Sequence, residues 1–231
     1  MAQPPTPHRF PGRPGDWVVH KDNQILAFNK PAGLAVQPDR KNSPNLLQIG
    51  AAYAHRDLYL VHRLDRPVSG VVVFGKKPSA QTKLTEQFQA RSVEKLYLAV
   101  VANRPPEDEA AVFHHLTEHK HNRSEVSDEK SPTSKRAELH YKLLGSSDRY
   151  HLLAVQLKTG RKHQIRAQLA ALGCPVRGDE KYGFKRANPG PGIDLHAYRI
   201  SFDHPTSNQR VTLTAPVPDT PVWAAFTDLL P

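Results

Sequence analysis

The stretch from Leu58 to Phe74 constrains this chain more than any other, because it forces a charged loop between two apolar extended runs. Leu58, Leu60 and Val61 lead into Arg63, Asp65 and Arg66, and Val71, Val72, Val73 and Phe74 follow without a polar break. An unbroken β-branched run suits a strand buried on both faces. Pro67 fixes the backbone after the charges, and Gly70 permits close approach or an unusual dihedral where that strand begins. A carboxylate so near guanidinium groups is expected to stay ionised, because opposite charge favours the charged form. In isolation the triplet reads first as a solvated ion pair on a surface turn. The rest of the chain decides between the two.

Extended runs recur along the sequence. Trp17–His20 and Gln24–Phe28 read as short strands joined at Lys21-Asp22-Asn23, with a bend at Pro31 and Gly33. Lys95–Val101 and Tyr150–Leu157 read as strands, and Tyr198–Phe202 and Val211–Ala215 alternate as an antiparallel hairpin. Helical signals are fewer. Ser43-Pro44 predicts a start for a helix through Leu46, Leu47 and Ala51, and Ser79 a cap for one carrying Ala80, Leu84 and Phe88. The C-terminus predicts a short helix through Val222, Phe226 and Leu230. Strands following strands, with few helices and no linker or repeat, predict an α+β domain: a central mixed, largely antiparallel sheet with flanking helices and loops. Residues 1–15, rich in proline and lacking a signal peptide's apolar core, are expected to be a flexible tail before a single domain at 16–231.

Several function classes fall away. There is no glycine-rich phosphate loop and no Gly-x-Ser-x-Gly elbow. No window approaches the length of a membrane-spanning helix. The single Cys174 leaves no intrachain disulfide and no cysteine-rich metal site, and with no export signal the expected compartment is the cytoplasm. The histidines at 114, 115, 119 and 121 lack metal-ligand spacing and read as part of polar hairpins or loops over 104–149, so no metal is expected. Lys+Arg of 32 against Asp+Glu of 22 gives a net charge of +10, which favours a polyanionic partner, nucleic acid first.

The basic turn Lys158–His163 leads into an apolar stripe of Ile165, Leu169 and Leu172, ended by Gly173. Lys158, Arg161, Lys162 and His163 gather at the helix start, where cations oppose the dipole, so helix stability does not explain them. A phosphate backbone does, and a randomly basic surface turn is the alternative. Arg166 falls at the edge of the stripe, where a partly buried guanidinium needs an anion.

Taken together, five stretches resemble the RluA-type family of RNA pseudouridine synthases, in that family's order: NKPAGLAV (Asn29–Val36), HRLDRPVSG (His62–Gly70), KLYLAVV (Lys95–Val101), TGRKHQIRAQLAALGCPVRGDEKYG (Thr159–Gly183) and LHAYRISFDHP (Leu195–Pro205). The resemblance implies a cofactor-free isomerisation of uridine to pseudouridine in transfer RNA, ribosomal RNA or both; a monomer is the default expectation, since the sequence does not set the oligomeric state. It also implies roles: Asp65 as the catalytic carboxylate, Tyr97 stacked on the target uracil, Arg166 paired with Asp65, and Arg63 displacing the uridine from the RNA stack. Val68 stands where the family usually has threonine, and Gln37 and Gln168 where histidine is frequent. The family's common N-terminal S4-type module is not expected here. A non-catalytic RNA-binding protein that kept the fold is the alternative, and a base-excising glycosylase a weaker one.

Overall fold

A computed structural model describes residues 10–39, 43–119, 123–127 and 129–231. Eleven strands are present among them: β1 (Val18–Lys21), β2 (Ile25–Lys30), β3 (Tyr59–Leu60), β4 (Ser69–Gly75), β5 (Glu94–Val101), β6 (Glu109–His119), β7 (Arg123–Ser127), β8 (Lys135–Ser146), β9 (His151–Leu157), β10 (Leu195–Asp203) and β11 (Arg210–Thr214). Four α-helices accompany them: α1 (Leu46–Ala54), α2 (Pro78–Ala90), α3 (Gln164–Ala171) and α4 (Pro221–Ala224). All strands join one sheet, in the order β1-β2-β4-β10-β5-β9-β8-β6-β7, with β11 paired to β10 and β3 to β4. Every pairing is antiparallel except β4 with β10. The architecture is therefore the mixed, largely antiparallel α+β sheet that the strand pattern predicts.

The chemistry-bearing strands lie at the centre for a visible reason. β4 is buried along its whole length, as its β-branched run requires. β10 is buried at all but Arg199 and Asp203, so the apolar-polar alternation read at 198–202 understates it; its partners on both edges and cores on both faces cover even His196 and Ser201. Ala197 of β10 is in register with Gly70 of β4 on one side and with Tyr97 of β5 on the other. Strand spacing of ~4.8 Å puts Tyr97 about 10 Å across the sheet from the end of the charged loop. Gly70 has φ +117°, and a Cβ there would sit 2.3 Å from the Ala197 carbonyl oxygen. Only glycine lets β4 and β10 meet at this point.

Local signals are displaced in instructive ways. α1 is capped by Asn45, whose Oδ1 accepts from the Gln48 N–H at 3.1 Å, rather than by Ser43. α2 begins at Pro78, whose fixed φ suits the first helical position, so Lys77 is its cap and Ser79 lies inside. At the C-terminus the predicted helix is split: α4 ends before Phe226, and a 3-10 turn spans Thr227–Leu229. Of the proline-rich start, residues 1–9 lie outside the described residues. The part from Phe10 is packed: Phe10 meets Trp17 edge to face at 6.4 Å, and the Trp17 indole donates to the Pro11 carbonyl at 2.7 Å. The segment 104–149 forms β6, β7 and β8, the hairpins its composition predicts. His114 reaches Gln168 at 3.2 Å, whereas His119 pairs with Glu125 at 2.7 Å; His121 lies outside the described residues.

Candidate active site

Asp65 sits in the irregular loop between β3 and β4, and three contacts fix that loop. Leu64 is buried beneath it, the Val68 N–H donates to the Asp65 carbonyl at 3.1 Å, and the Gly33 N–H donates to the Arg66 carbonyl at 2.8 Å. Arg66 returns the link, its Nε donating to the Gly33 carbonyl at 2.9 Å. Arg66 thus ties the loop to the NKPAGLAV stretch and does not pair with Asp65. Val68 is buried, so the position where the family usually has a hydroxyl is apolar packing here.

Lys30, at the end of β2, secures the same junction from inside. Its ammonium, wholly buried, donates to the carbonyls of Pro31 at 3.1 Å, Leu34 at 2.8 Å and Arg66 at 3.2 Å. Burial lowers its pKa to about 7, while nearby Asp65 acts to raise it. Only the protonated amine has a hydrogen for each of the three carbonyls. Sequence reading passed over Lys30 because a lysine beside Pro-x-Gly reads as a surface turn.

The partner of Asp65 comes from α3. Arg166 Nη1 donates to Asp65 Oδ2 at 3.0 Å, across 101 residues of sequence. Arg166 is only 5 % exposed, and Asp65 is open to solvent at 25 % of its side chain. A second carboxylate completes the arrangement: Arg166 Nε and Nη2 donate to Asp179 Oδ2 and Oδ1 at 2.6 and 2.8 Å, and Asp179 is buried. Burial acts to lower the Arg166 pKa, but the hydrogen bonds and charge of Asp179, with Asp65 behind them, outweigh it and raise the guanidinium above its ordinary value. Sequence reading missed Asp179. The signal was available in the donor count, because a guanidinium has five N–H groups and a carboxylate engages at most two of them side on.

α3 itself departs from the amphipathic helix that the stripe predicts. Residues 164–169 are all buried, because α3 lies between the sheet and the segment carrying Asp179 and Tyr182. Gln168 docks it on the sheet, its Nε2 facing the carbonyls of Val112 and Ala137 at 3.4 Å. Gln164 holds the preceding turn, accepting from Thr159 Oγ1 at 2.8 Å and the Arg161 N–H at 3.0 Å and donating to the Glu138 carbonyl at 3.0 Å.

Of the four basic residues expected to meet an RNA backbone at this turn, Lys158 is exposed and Arg161 and Lys162 are half-buried. His163 differs from them: it is buried, and its ring turns inward to bring Nε2 within 3.7 Å of Asp65 Oδ2. Its left-handed backbone, φ 53°, swings the side chain under the turn instead of out with its neighbours. Arg63 is exposed at the mouth of the loop, with no hydrogen bond or ion pair among the described residues.

Tyr97 lies on β5, half-buried, on the face that carries Ala99 and Val101 into the main core. Burial, with a further contribution from Asp65, raises its phenol above the ordinary range and keeps it neutral. The site therefore joins an accessible carboxylate, a buried guanidinium that fixes it, and a neutral aromatic ring within electrostatic reach. Such a set can hold a planar neutral base against the ring while the carboxylate works on the bonds beside it.

The sheet and this site define a class in which an aspartate loop is joined to an arginine helix beside an aromatic strand. Residues 24–171 match the family model for RNA pseudouridylate synthase. The chain is 34 % identical over 210 residues to ribosomal large subunit pseudouridine synthase C of Rickettsia felis, covering 88 % of this chain and 68 % of that protein. It is 36 % identical over 226 residues to ribosomal large subunit pseudouridine synthase D of Xylella fastidiosa, covering 87 % and 66 %. The solved structure of human RNA pseudouridylate synthase domain containing 4 shares the fold, with a TM-score of 0.74 at 24 % identity over 89 % of this chain and 90 % of that one. The chain belongs to the RluA-type family of RNA pseudouridine synthases, isomerases that act on uridine in RNA. Among the described residues no helix is long and apolar enough to cross a membrane.

Proposed function

We propose that this protein converts uridine to pseudouridine in ribosomal RNA, with Asp65 as the acting carboxylate. The observation that carries the reading is the 3.0 Å contact from buried Arg166 to a solvent-accessible Asp65. Within the RNA, the N1–C1′ bond breaks, the uracil turns, and C5 joins C1′ while the C5 proton is lost and N1 gains one. An ionised Asp65, held by Arg166, serves as nucleophile or base at the reacting nucleotide. Tyr97 supports the detached base by its π face and leaves it free to turn in its own plane. The target must first leave the RNA stack, at a cost of a few kcal/mol. Arg63, exposed and unpaired among the described residues, takes the vacated place, and Lys158, Arg161 and Lys162 offset the cost through phosphate contacts.

Ribosomal RNA is favoured because the relatives are named for the large ribosomal subunit. The test supplies the purified protein with large-subunit ribosomal RNA and, in parallel, transfer RNA, both carrying 5-tritiated uridine. Tritium release from the ribosomal RNA, with new pseudouridine mapped in it, is expected. Binding without release would make the protein a non-catalytic RNA binder, and free uracil would make it a glycosylase.

A further inference from the structure

His163 has no assigned work in this reaction, yet it is among the best-fixed side chains around Asp65. Its Nδ1 lies 2.9 Å from the Tyr182 hydroxyl, and its Nε2 lies 3.7 Å from Asp65 Oδ2. The two rings meet edge to face at 5.7 Å and 90°. Tyr182 is itself clamped. Its hydroxyl accepts from the Ser124 N–H at 2.8 Å, and the guanidiniums of Arg123 and Arg166 lie 5.3 and 5.0 Å from its ring centroid. The phenol proton has two acceptors in reach, the His163 nitrogen at 2.9 Å and the Ser124 carbonyl at 3.2 Å.

Electrostatics selects between them. If the phenol served Ser124, His163 would carry its hydrogen on Nδ1 and aim a lone pair at a carboxylate oxygen. With the phenol donating to Nδ1, the hydrogen sits on Nε2 and points at Asp65. Burial lowers the imidazole to about 4, so the ring is neutral near pH 7 and carries one hydrogen.

We propose that His163, set in its Nε2–H form by Tyr182, is a positioning residue that, with Arg166, commits Asp65 Oδ2 and leaves Oδ1 as the oxygen presented to the nucleotide. Arg166 Nη1, at 3.0 Å, and His163 Nε2, at 3.7 Å, both face Oδ2 of this carboxylate, and Oδ1 has no hydrogen-bond partner among the described residues. With Arg166 hydrogen-bonded to Oδ2 at 3.0 Å and the polar Nε2 edge of His163 facing the same oxygen at 3.7 Å, turning Oδ2 outward would give up both contacts, so Oδ1 is the oxygen presented. The inference rests on Asp65 being the acting carboxylate.

The test is single-turnover tritium release from 5-tritiated ribosomal RNA, with enzyme in excess, alongside RNA affinity and thermal melts. His163→Ala is expected to slow the chemical step about 10-fold, as Asp65 Oδ2 loses the polar contact that faces it at 3.7 Å, while affinity stays within about twofold. His163→Gln, which can return an N–H to the Nε2 position and bears the same backbone strain as alanine, is expected to recover most of the rate. Tyr182→Phe is expected to lose part of it, by freeing the ring. A wild-type rate in His163→Ala overturns the proposal, as does a loss confined to affinity, which would return His163 to the RNA backbone. Glutamine no better than alanine, at wild-type melting temperature, overturns it too. Asp65→Asn separates the premise: if that variant keeps turnover, the reading of Asp65 fails and this inference with it, whereas an inactive Asp65→Asn beside an unaffected His163→Ala removes the inference alone.

Discussion

Removing Asp179 tests the central electrostatics of the site without touching any group placed on the substrate. Asp179 takes two of the three hydrogen bonds that Arg166 makes to carboxylates, at 2.6 and 2.8 Å, and both side chains are buried. Asp179→Ala leaves the guanidinium with Asp65 alone and two donors facing no acceptor. Breaking a buried pair from one side costs about 3–5 kcal/mol, because the remaining charge is stranded. In a chain of this length each kcal/mol is worth about 2–4 °C, so the melting temperature should fall by about 6–20 °C. The remaining Asp65 contact places the expectation toward the smaller end. Turnover should fall as well, since Arg166 then settles toward Asp65 and drags its free oxygen out of line. The diagnostic is a double-mutant cycle with Arg166→Met. In that background the buried Asp179 is itself the stranded charge, so Asp179→Ala should cost little or even stabilise, and the coupling should exceed about 2 kcal/mol. A single variant melting within about 2 °C of the wild type, or additive effects in the cycle, would refute the reasoning.

Two other expectations follow from the fold. Gly70→Ala should fail to accumulate as folded protein or melt far below the wild type, because its Cβ would lie 2.3 Å from the Ala197 carbonyl oxygen at φ +117°; a normal melt would show that β4 and β10 can part there. Stability should also fall as pH drops from about 6 to 4. His163 and His196 are buried and lowered to about 4 by that burial, so in this window the unfolded chain binds protons that the folded one refuses. Each contributes about 1.4 kcal/mol per pH unit, fully present above the unfolded value near 6.5 and lost on acidification toward 4. Denaturant midpoints that match at pH 7 and pH 5 would contradict it.

Much of this architecture was legible in the sequence, wherever one signal decided one element. The β-branched run at 71–74 became the central strand β4, KLYLAVV became β5, and the 198–215 alternation marked the β10–β11 hairpin. Asp65 and Arg166 were brought together as the motif order implied. What resisted reading depended on a second segment arriving in space. α3 looks amphipathic in one dimension, but the Asp179–Tyr182 segment covers its other side. His163 sits among three cations in sequence, and only its left-handed backbone separates it from them. Lys30 reads as a surface charge until three carbonyls close around it. Local chemistry predicts strands and caps to within a residue or two, but the supports of a buried charge belong to tertiary structure.

The most direct measurement is tritium release from 5-tritiated ribosomal RNA by Asp65→Asn beside the wild type, with RNA affinity and melting temperature recorded for both. The exchange keeps the size of the side chain and an acceptor for Arg166 while removing the charge. The account predicts release abolished, with affinity and fold close to wild type. Release at the wild-type rate would contradict it and take the chemistry away from Asp65.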